Sequence, residues 1–426
     1  MFALVDCNNF YVSCERLFNP ALKKCPVIVL SNNDGCVVSR SNEAKQLGVP
    51  MGVPYFKIAE KVRYHNVRVF SSNYALYADI SSRIMEVLST FTPDLEIYSI
   101  DEAFLFFKWK SFNREEVERR AVLIKETVMR DTGIPVSIGI APTRTLAKVA
   151  AGYAKKLNSG IFMFFTDRES YNCLYQNNLE DIWGIGRKSV VRLNRAGIYS
   201  VSDFLTASDS VIRSAAGLKV LKTKYELNAI SSLSSEDIIS DSRKSISSSL
   251  SFSHRVFEKK ILYESFIYHI SKSLSKLRSE HLYACGISFF VKWVKRENRT
   301  LNIYETAYSS INFTLPQSSD INSDFFHCVP EAAGKLYRSG RVYKSSGITL
   351  YGVIGRTQFE TEDFFLEKAD PKKKKLLDSI DKLNQLLGKG SVKFASEGIK
   401  KKWIMKRNMK SPAYTTSWKE IPVVKA

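Results

Sequence analysis

The stretch EIYSIDEAFLFF, residues 96–107, decides how the rest of the chain is read. Two adjacent acids, Asp101 and Glu102, interrupt a run of apolar, aromatic and β-branched residues that otherwise reads as strand. On an ideal strand neighbouring side chains point to opposite faces. At a hairpin turn, with IYSI as one arm and AFLFF as the other, both carboxylates can approach one site. Adjacent acids at a turn are also ordinary solvated turn residues, and the stretch by itself leaves both readings open.

A third acid ends another strand: the run FALV, residues 2–5, stops at Asp6. PVIVL, residues 26–30, is a further strand, closed by the turn residues SNNDG and followed by CVVS. NEAKQLGVPMG, residues 42–52, reads as a short helix capped by Asn42 and ended by Gly48. Residues 73–91 place Leu76, Ile80, Ile84 and Leu88 on one helical face, with Pro93 beyond it. Residues 114–130 do the same with Val117, Ala121, Ile124 and Val128, before Gly133 and Pro135. PVSIGIA is a strand, and Thr143 caps the helix TRTLAKVAAGYAKKL. Strands and helices alternate loosely around one hairpin, which predicts a mixed sheet covered by helices, an α+β domain. A helical region follows over 169–233 and contains DIWGIGRKSVVRLNRAGI. Between Ser231 and Ser253, 12 of 23 residues are serine, which reads as a linker. Residues 254–354 form a further domain, with the helix ESFIYHISKSLSKLRSEH and the strands ACGISFFVKWV and SSGITLYGVI.

A chain of 426 residues exceeds what one core holds, so two to four domains are expected. Lys and Arg number 63 against 43 Asp and Glu, and the net charge of +20 points to a polyanionic partner or a membrane surface. MFALVDCNNF lacks the basic region of a signal peptide, and no apolar run reaches the length of a membrane span. Nucleic acid is therefore the leading partner class. The seven cysteines form no CxxC pair and only five histidines accompany them, which argues against a disulfide scaffold and a structural zinc site. A reducing, cytoplasmic compartment is expected. The most basic part is residues 368–410, with 14 Lys and Arg against four Asp and Glu.

Asp6, Asp101 and Glu102 are hard oxygen donors. Converging on one face, they could hold two magnesium ions, and two such ions about 4 Å apart clamp the attacking and leaving oxygens of phosphoryl transfer. General acid–base work would instead need one carboxyl with a raised pKa in an apolar pocket. GIGRKS lacks the spacing of a phosphate-binding loop.

Taken together, MFALVDCNNFYVSCE, PVIVLSNNDGCVVSRSNEAKQLGVPMG, FSSNYALYADIS, EIYSIDEAF, GIAPTRTLAK, DIWGIGRK and KRNMKSPAYTT resemble the Y-family of translesion DNA polymerases. Within it they are most similar to the UmuC-type catalytic subunits of bacterial DNA polymerase V. The resemblance runs nearly end to end. It implies an α+β multidomain right hand: a mixed-sheet palm at 1–19 and 76–165, small fingers at 20–75, and a helical thumb with a helix–hairpin–helix at 166–235. A linker at 236–242, an α/β little finger at 243–354 and a basic C-terminal extension at 355–426 complete it.

The resemblance also implies roles. Asp6, Asp101 and Glu102 match the catalytic acids, which bind two Mg²⁺ together with the backbone carbonyl of Cys7. Asn8, Asn9, Phe10 and Tyr11 match the loop that faces the triphosphate, with Tyr11 as the steric gate against a ribose 2′-hydroxyl. Ser39, Arg40, Asn42, Lys45 and Lys155 match nucleotide-contacting positions. Ser39, Asn42 and Lys45 stand where many relatives have Thr, Tyr and Arg. Gly184, Gly186, Arg187 and Lys188 match the hairpin that holds a DNA phosphate. SLSFSHR, residues 249–255, matches the strand that tracks template, and Arg243, Lys244 and Arg255 supply charge there. Gln358, Phe364 and Phe365 match a clamp-binding peptide with unusual spacing.

The implied partners are primer–template DNA and deoxynucleoside triphosphates, with a processed UmuD-type dimer, a recombinase filament and the sliding clamp. The implied setting is the nucleoid, in the SOS response to DNA damage. Two other classes remain beside templated synthesis: a nucleotidyl-transfer enzyme with a related palm, such as a cyclase, and a noncatalytic DNA-binding or checkpoint protein.

Overall fold

A computed structural model describes residues 1–107, 113–234, 244–298, 303–356, 359, 370–388 and 390–422. They fall into two compact units, Met1–Ser31 and Gly35–Asp241 with Asn408–Ala426 in one, and Asn32–Asp34 with Ser242–Arg407 in the other.

The first unit contains β1 (Phe2–Cys7), β2 (Val27–Leu30), β3 (Val37–Arg40), β4 (Arg68–Ser71), β5 (Leu95–Ile97), β6 (Glu102–Phe106), β7 (Val136–Ala141) and β8 (Ile161–Met163). Five of them form a sheet in the order β5-β6-β1-β7-β8. β1 runs antiparallel to β6 and β7, whereas β7 and β8 are parallel, so the sheet is mixed as the sequence predicts. Every residue of β1 is buried. Ala3, Val5 and Cys7 share a core with Leu76, Ile80 and Ile84 of helix Tyr74–Ser89 and with Val117, Ala121, Ile124 and Val128 of helix Arg114–Thr132. Phe2 and Leu4 face the other way, onto Ala147, Ala150 and Ala151 of helix Arg144–Ala154. A strand covered on both faces shows a continuous apolar run instead of alternation, which is why FALV carries no period.

Local chemistry sets the element ends. Thr143 caps Arg144–Ala154 by accepting from the Leu146 N–H at 3.4 Å. Gly133, at φ 70°, ends Arg114–Thr132 in the left-handed conformation. The cap expected at Asn42 belongs to Ser41, whose hydroxyl accepts from the Ala44 N–H at 3.2 Å and from the Val27 N–H at 3.1 Å. The helix is correspondingly short, Asn42–Gln46. The three-stranded sheet β3-β2-β4 pairs β2 antiparallel to β3 and parallel to β4. Five helices between Arg168 and Leu227 complete the core on the Phe2 and Leu4 face of the larger sheet.

The second unit is built on β9 (Ser245–Val256), β10 (Leu282–Asn298), β11 (Ile303–Ser319) and β12 (Tyr343–Gly355), in the order β11-β10-β12-β9. Helices Lys259–Ser279 and Val329–Leu336 share its core. From Ser245 onward the serine-rich stretch, which reads as linker by composition and as strand by the family resemblance, is an edge strand. Ser245, Ser247, Ser249 and Ser251 are exposed while Ile246 and Phe252 are buried, a period of two that the serine count masks. The expected linker at 236–242 lies outside the described residues. Helix Pro371–Leu386 is pinned by Arg278, which donates to Asp381 at 2.6 and 3.2 Å. Trp403 is buried against Phe252 and Tyr268. The extension thus divides, and from Asn408 it belongs to the first unit. Among the described residues no helix is long and apolar enough to cross a membrane.

Gly139 of β7 lies beside Leu4, and a Cβ there would stand 2.0 Å from the Ala151 nitrogen and 2.4 Å from the Ala147 oxygen. Helix Arg144–Ala154 can lie on the sheet only because that side chain is missing. G139A is expected to cost about 1–3 kcal/mol. G152A, whose Cβ would meet open space, is expected to be neutral or to gain up to about 1 kcal/mol. Thermal unfolding midpoints of the two variants check the contrast.

Candidate active site

The ladder between β1 and β6 places Asp6 directly opposite Glu102. Both lie on the face shared by Leu4 and Phe104, because side chains two apart on a strand point the same way. Asp101 stands in the turn between β5 and β6, and its carbonyl accepts from the Cys7 N–H at 2.9 Å. The turn is closed by the Tyr98 and Ser99 amides, which both donate to the Glu102 carbonyl at 3.1 Å. Ser99 Oγ donates to Asp101 Oδ1 at 2.7 Å and accepts from the Asp101 N–H. The two-arm hairpin read from the sequence is present, and it brings the adjacent Asp101 and Glu102 to the same end of the sheet as Asp6, which is distant in the chain.

The helix over this face supplies two amines. Lys155 Nζ donates to Asp6 Oδ2 at 2.6 Å, and Lys148 Nζ donates to Glu102 Oε2 at 3.0 Å. Lys148 also stands 4.3 Å from the centroid of the Tyr98 ring, whose hydroxyl accepts from Trp183 Nε1 at 3.0 Å. Asp6 is only 6% exposed, and burial pushes its carboxyl up to about 7. Lys155 opposes that shift and the neighbouring Glu102 adds to it. Among the described residues, no three acids, cysteines or histidines stand close enough to grip an ion as placed. Each carboxylate is instead engaged, two by lysines and one by Ser99. The donor set fits a hard divalent cation. It offers carboxylate oxygens, and a buried acid left short of positive charge is what such a cation would satisfy.

The loop after β1 turns through Asn9 in the left-handed conformation, at φ 48°. Asn9 Nδ2 donates to Asn42 Oδ1 at 3.1 Å, Lys45 Nζ donates to the same oxygen at 3.4 Å, and Ser39 Oγ donates to the Asn9 carbonyl at 3.4 Å. Asn9, Ser39, Asn42 and Lys45 therefore come together. The Arg40 guanidinium donates to the Val49 carbonyl, and its Nε is buried without a partner. The Lys45 amine is held below its usual value by burial and by repulsion from Arg40 and Lys155, against the attraction of Asp6. Asn8 faces elsewhere, accepting from Ser137 Oγ at 2.8 Å. Phe10 and Cys7 are core side chains, so only their backbones can serve a ligand. Tyr11 stacks on Tyr77, centroids 4.4 Å apart at 13°.

In the helical region Gly186 is the N-cap of helix Arg187–Arg195 and has no side-chain cap. Arg187 and Lys188 are exposed on its first turn. Gly184 has φ +92°, and a Cβ would meet Thr223 Oγ1 at 2.5 Å. In the second unit Lys244 and Arg255 are exposed at the two ends of β9. Arg243, Gln358, Phe364 and Phe365 lie outside the described residues.

Sequence reasoning missed Lys148, Ser99 and Trp183. A signal for Lys148 was present: it lies seven residues before Lys155, two helical turns, and so on the same face.

Residues 5–152 match the model of the impB/mucB/samB family, residues 243–362 match that family's C-terminal domain, and residues 374–424 match a domain of unknown function. Protein UmuC of Salmonella typhimurium is 36% identical over 429 residues, spanning the whole of both chains. The chain belongs to the UmuC-type branch of the Y-family DNA polymerases. Protein ImpB of Salmonella typhimurium is 34% identical over 433 residues, again spanning both chains. DNA polymerase IV of Treponema denticola is 26% identical over 397 residues, 92% of this chain and 95% of the other. A solved Y-family DNA polymerase chimera built on Dbh shares the fold, with a TM-score of 0.66 at 23% identity, covering 84% of this chain and all of the other. The Y-family chain is a DNA-directed DNA polymerase of the translesion type.

In this Y-family site the folded Asp6 carboxyl keeps its proton to about pH 7, against an ordinary value of 3.8. Between those values the folded state binds more protons than the unfolded state, so the Asp6 contribution to stability falls as pH rises through the window and is constant above it. Without divalent cations, D6N is expected to flatten that part of the stability–pH curve and to be more stable than the parent above about pH 7. Magnesium should narrow the difference. Thermal unfolding across the pH range, with and without magnesium, checks it.

Proposed function

We propose that the chain extends a primer 3′ end with deoxynucleotides by templated, two-metal nucleotidyl transfer, and does so past damaged bases. The observation that carries the reading is the pairing of Asp6 with Glu102 in adjacent strands, with Lys155 on Asp6 and Lys148 on Glu102. Such a site offers carboxylates for divalent cations and positive charge for a triphosphate.

Asp6 and Asp101 would hold two Mg²⁺ ions, with Glu102 on the primer side and the Cys7 carbonyl as a further oxygen. When bound, the ions would lower the pKa of the primer hydroxyl and neutralise charge on the triphosphate and the departing pyrophosphate. Lys155, now on Asp6, is placed to move onto phosphate oxygens once that carboxylate is otherwise neutralised. Lys45 and Arg40 would add positive charge, and the left-handed turn at Asn9 would present backbone amides as an anion nest. Tyr11 would close the sugar pocket against a 2′-hydroxyl.

We assign the five-stranded sheet and its helices to a palm, residues 20–75 to fingers, 166–235 to a thumb and 243–354 to a little finger. The uncapped start of helix Arg187–Arg195, with Arg187 and Lys188, would take a DNA backbone phosphate; Arg243, Lys244 and Arg255 would follow the template. Full-length similarity to UmuC supports a processed UmuD-type dimer, a recombinase filament and the sliding clamp as partners, the last through Gln358, Phe364 and Phe365. The place of work would be the nucleoid.

Primer extension tests the reading. Changing Asp101 and Glu102 together to Ala should lower extension by about a thousandfold or more, the scale of several kcal/mol of lost charge stabilisation, while DNA binding is kept. Extension that survives the double change would overturn the two-metal assignment. R187A/K188A should weaken DNA binding equally for all sequences and reduce the salt slope by about 1–2. Titrations at several salt concentrations read that slope.

A further inference from the structure

The stretch KSPAYTT, residues 410–416, has no part in the chemistry above, yet it is seated in the first unit beside the proposed sugar gate. The Ser71 N–H donates to the Met409 carbonyl at 3.0 Å, the Met409 N–H donates to Ser71 Oγ at 3.0 Å, and Ser71 and Lys410 form a parallel bridge. Asn73, at the start of helix Tyr74–Ser89, gives its side-chain amide to the Ser411 carbonyl, Ser411 Oγ and the Pro412 carbonyl at 3.2, 2.9 and 3.1 Å. Tyr414 stacks on Phe18 with centroids 4.7 Å apart.

Ser411 then reaches inward. Its hydroxyl donates to Glu15 Oε1 at 3.1 Å, and the Tyr77 hydroxyl donates to the same oxygen at 2.6 Å. Glu15 is 1% exposed, and burial raises its pKa against the opposing effects of Tyr77, Ser411 and Lys410. A carboxyl so deeply buried needs donors, and the C-terminal segment brings a hydroxyl and, next to it, a cation. Glu15 sits on helix Phe10–Leu17 four residues after Tyr11, so both lie on one face of that helix. The Tyr77 ring is consequently held at its hydroxyl by Glu15 and by its face against Tyr11.

We propose that the C-terminal segment is a positioning element of the nucleotide pocket: Ser411, acting through Glu15 and Tyr77, sets the plane of the Tyr11 ring and thereby the discrimination between deoxyribose and ribose. The inference rests on the reading of Tyr11 as the sugar gate. A ring stacked at 13° transmits a tilt of its neighbour directly, because a parallel pair keeps its contact only when both planes turn together. Releasing the Tyr77 hydroxyl gives the gate a second orientation without removing any group that touches the nucleotide.

The test is single-nucleotide insertion by the full chain, with kcat/KM measured for a deoxynucleotide and its ribonucleotide. Y11A should abolish the preference. S411A and Y77F should each lower the deoxy-to-ribo ratio by about fivefold or more, while deoxynucleotide insertion stays within about twofold, and S411T should restore the ratio. If S411A fails to fold, Y77F carries the test, because it keeps the stacked ring and loses only the anchor. A ratio unchanged in both S411A and Y77F, with Y11A relaxed, overturns the positioning role and leaves the gate standing. A ratio unchanged in Y11A overturns the gate, and the inference falls with it. A merely structural strap would lower the unfolding temperature and leave the ratio where it was.

Discussion

The antiparallel ladder between β1 and β6 sets Asp6 opposite Glu102, and the remaining geometry of the site follows from it. β1 is buried on both faces, between the Leu76 and Val117 helices on one side and the Ala147 helix on the other. A slip of one residue would exchange those faces, turning Asp6 into the apolar layer that holds Val5 and Cys7. The register is therefore strongly specified by packing far from the chemistry. The same pairing puts an acid at a position where water is largely excluded, which raises the Asp6 carboxyl toward neutrality. Only the close approach allowed at Gly139 brings Lys148 and Lys155 over the sheet to meet the two acids.

Charge is organised at two scales. Across the chain, an excess of +20 suits a polyanion such as DNA, whose phosphates attract it without regard to sequence. At the site the signs are interleaved. Lys155 and Lys148 neutralise Asp6 and Glu102, while Arg40 and Lys155 repel Lys45 and hold its amine below the usual value. Burial still raises the Asp6 carboxyl and lowers the Lys45 amine despite these contacts. A triphosphate with its divalent cations would relieve both, taking the positive charge from one side and supplying it to the other.

Much of this was legible in the residues. The helical stripes at Leu76 and Val117 have a clear period, and the hairpin acids stand out because an apolar strand surrounds them. Thr143 reads as a cap because its side chain serves its own helix. Ser41 was passed over for Asn42 because two adjacent polar residues can each cap, and the choice was made by the Val27 amide, a strand partner 14 residues away. Composition alone hides the Ser245 strand, because serine weighs toward linker, although its alternation with Ile246 and Phe252 obeys the strand period and the family resemblance places a strand there. Phe10 was assigned to the triphosphate through the backbone amides of its loop, which is compatible with a ring that lies in the core. The docking of the tail left no local trace at all. Asn73 and Ser411 are 338 residues apart, and nothing in NMKSPAYTT marks which surface it seeks.

That separation also explains why the tail can be used so near the pocket. The entropic cost of closing a loop grows only logarithmically with its length, so a partner 396 residues from Glu15 costs only about 2 kcal/mol more to recruit than one about 50 residues away. The gain at the far end is of similar or larger size, because a buried carboxyl from which a donor is withdrawn is left with its own desolvation penalty uncompensated. Glu15 could have been replaced by an apolar residue if packing were its only task. An acid there makes the Tyr77 hydroxyl directional: its ring must stand where the hydrogen bond is made, and Tyr11 must lie parallel to it. The segment from Asn408 thus reaches the side of the molecule that carries the proposed sugar gate through a hydrogen bond and a stacked pair of rings, without contributing an atom to Asp6, Asp101 or Glu102.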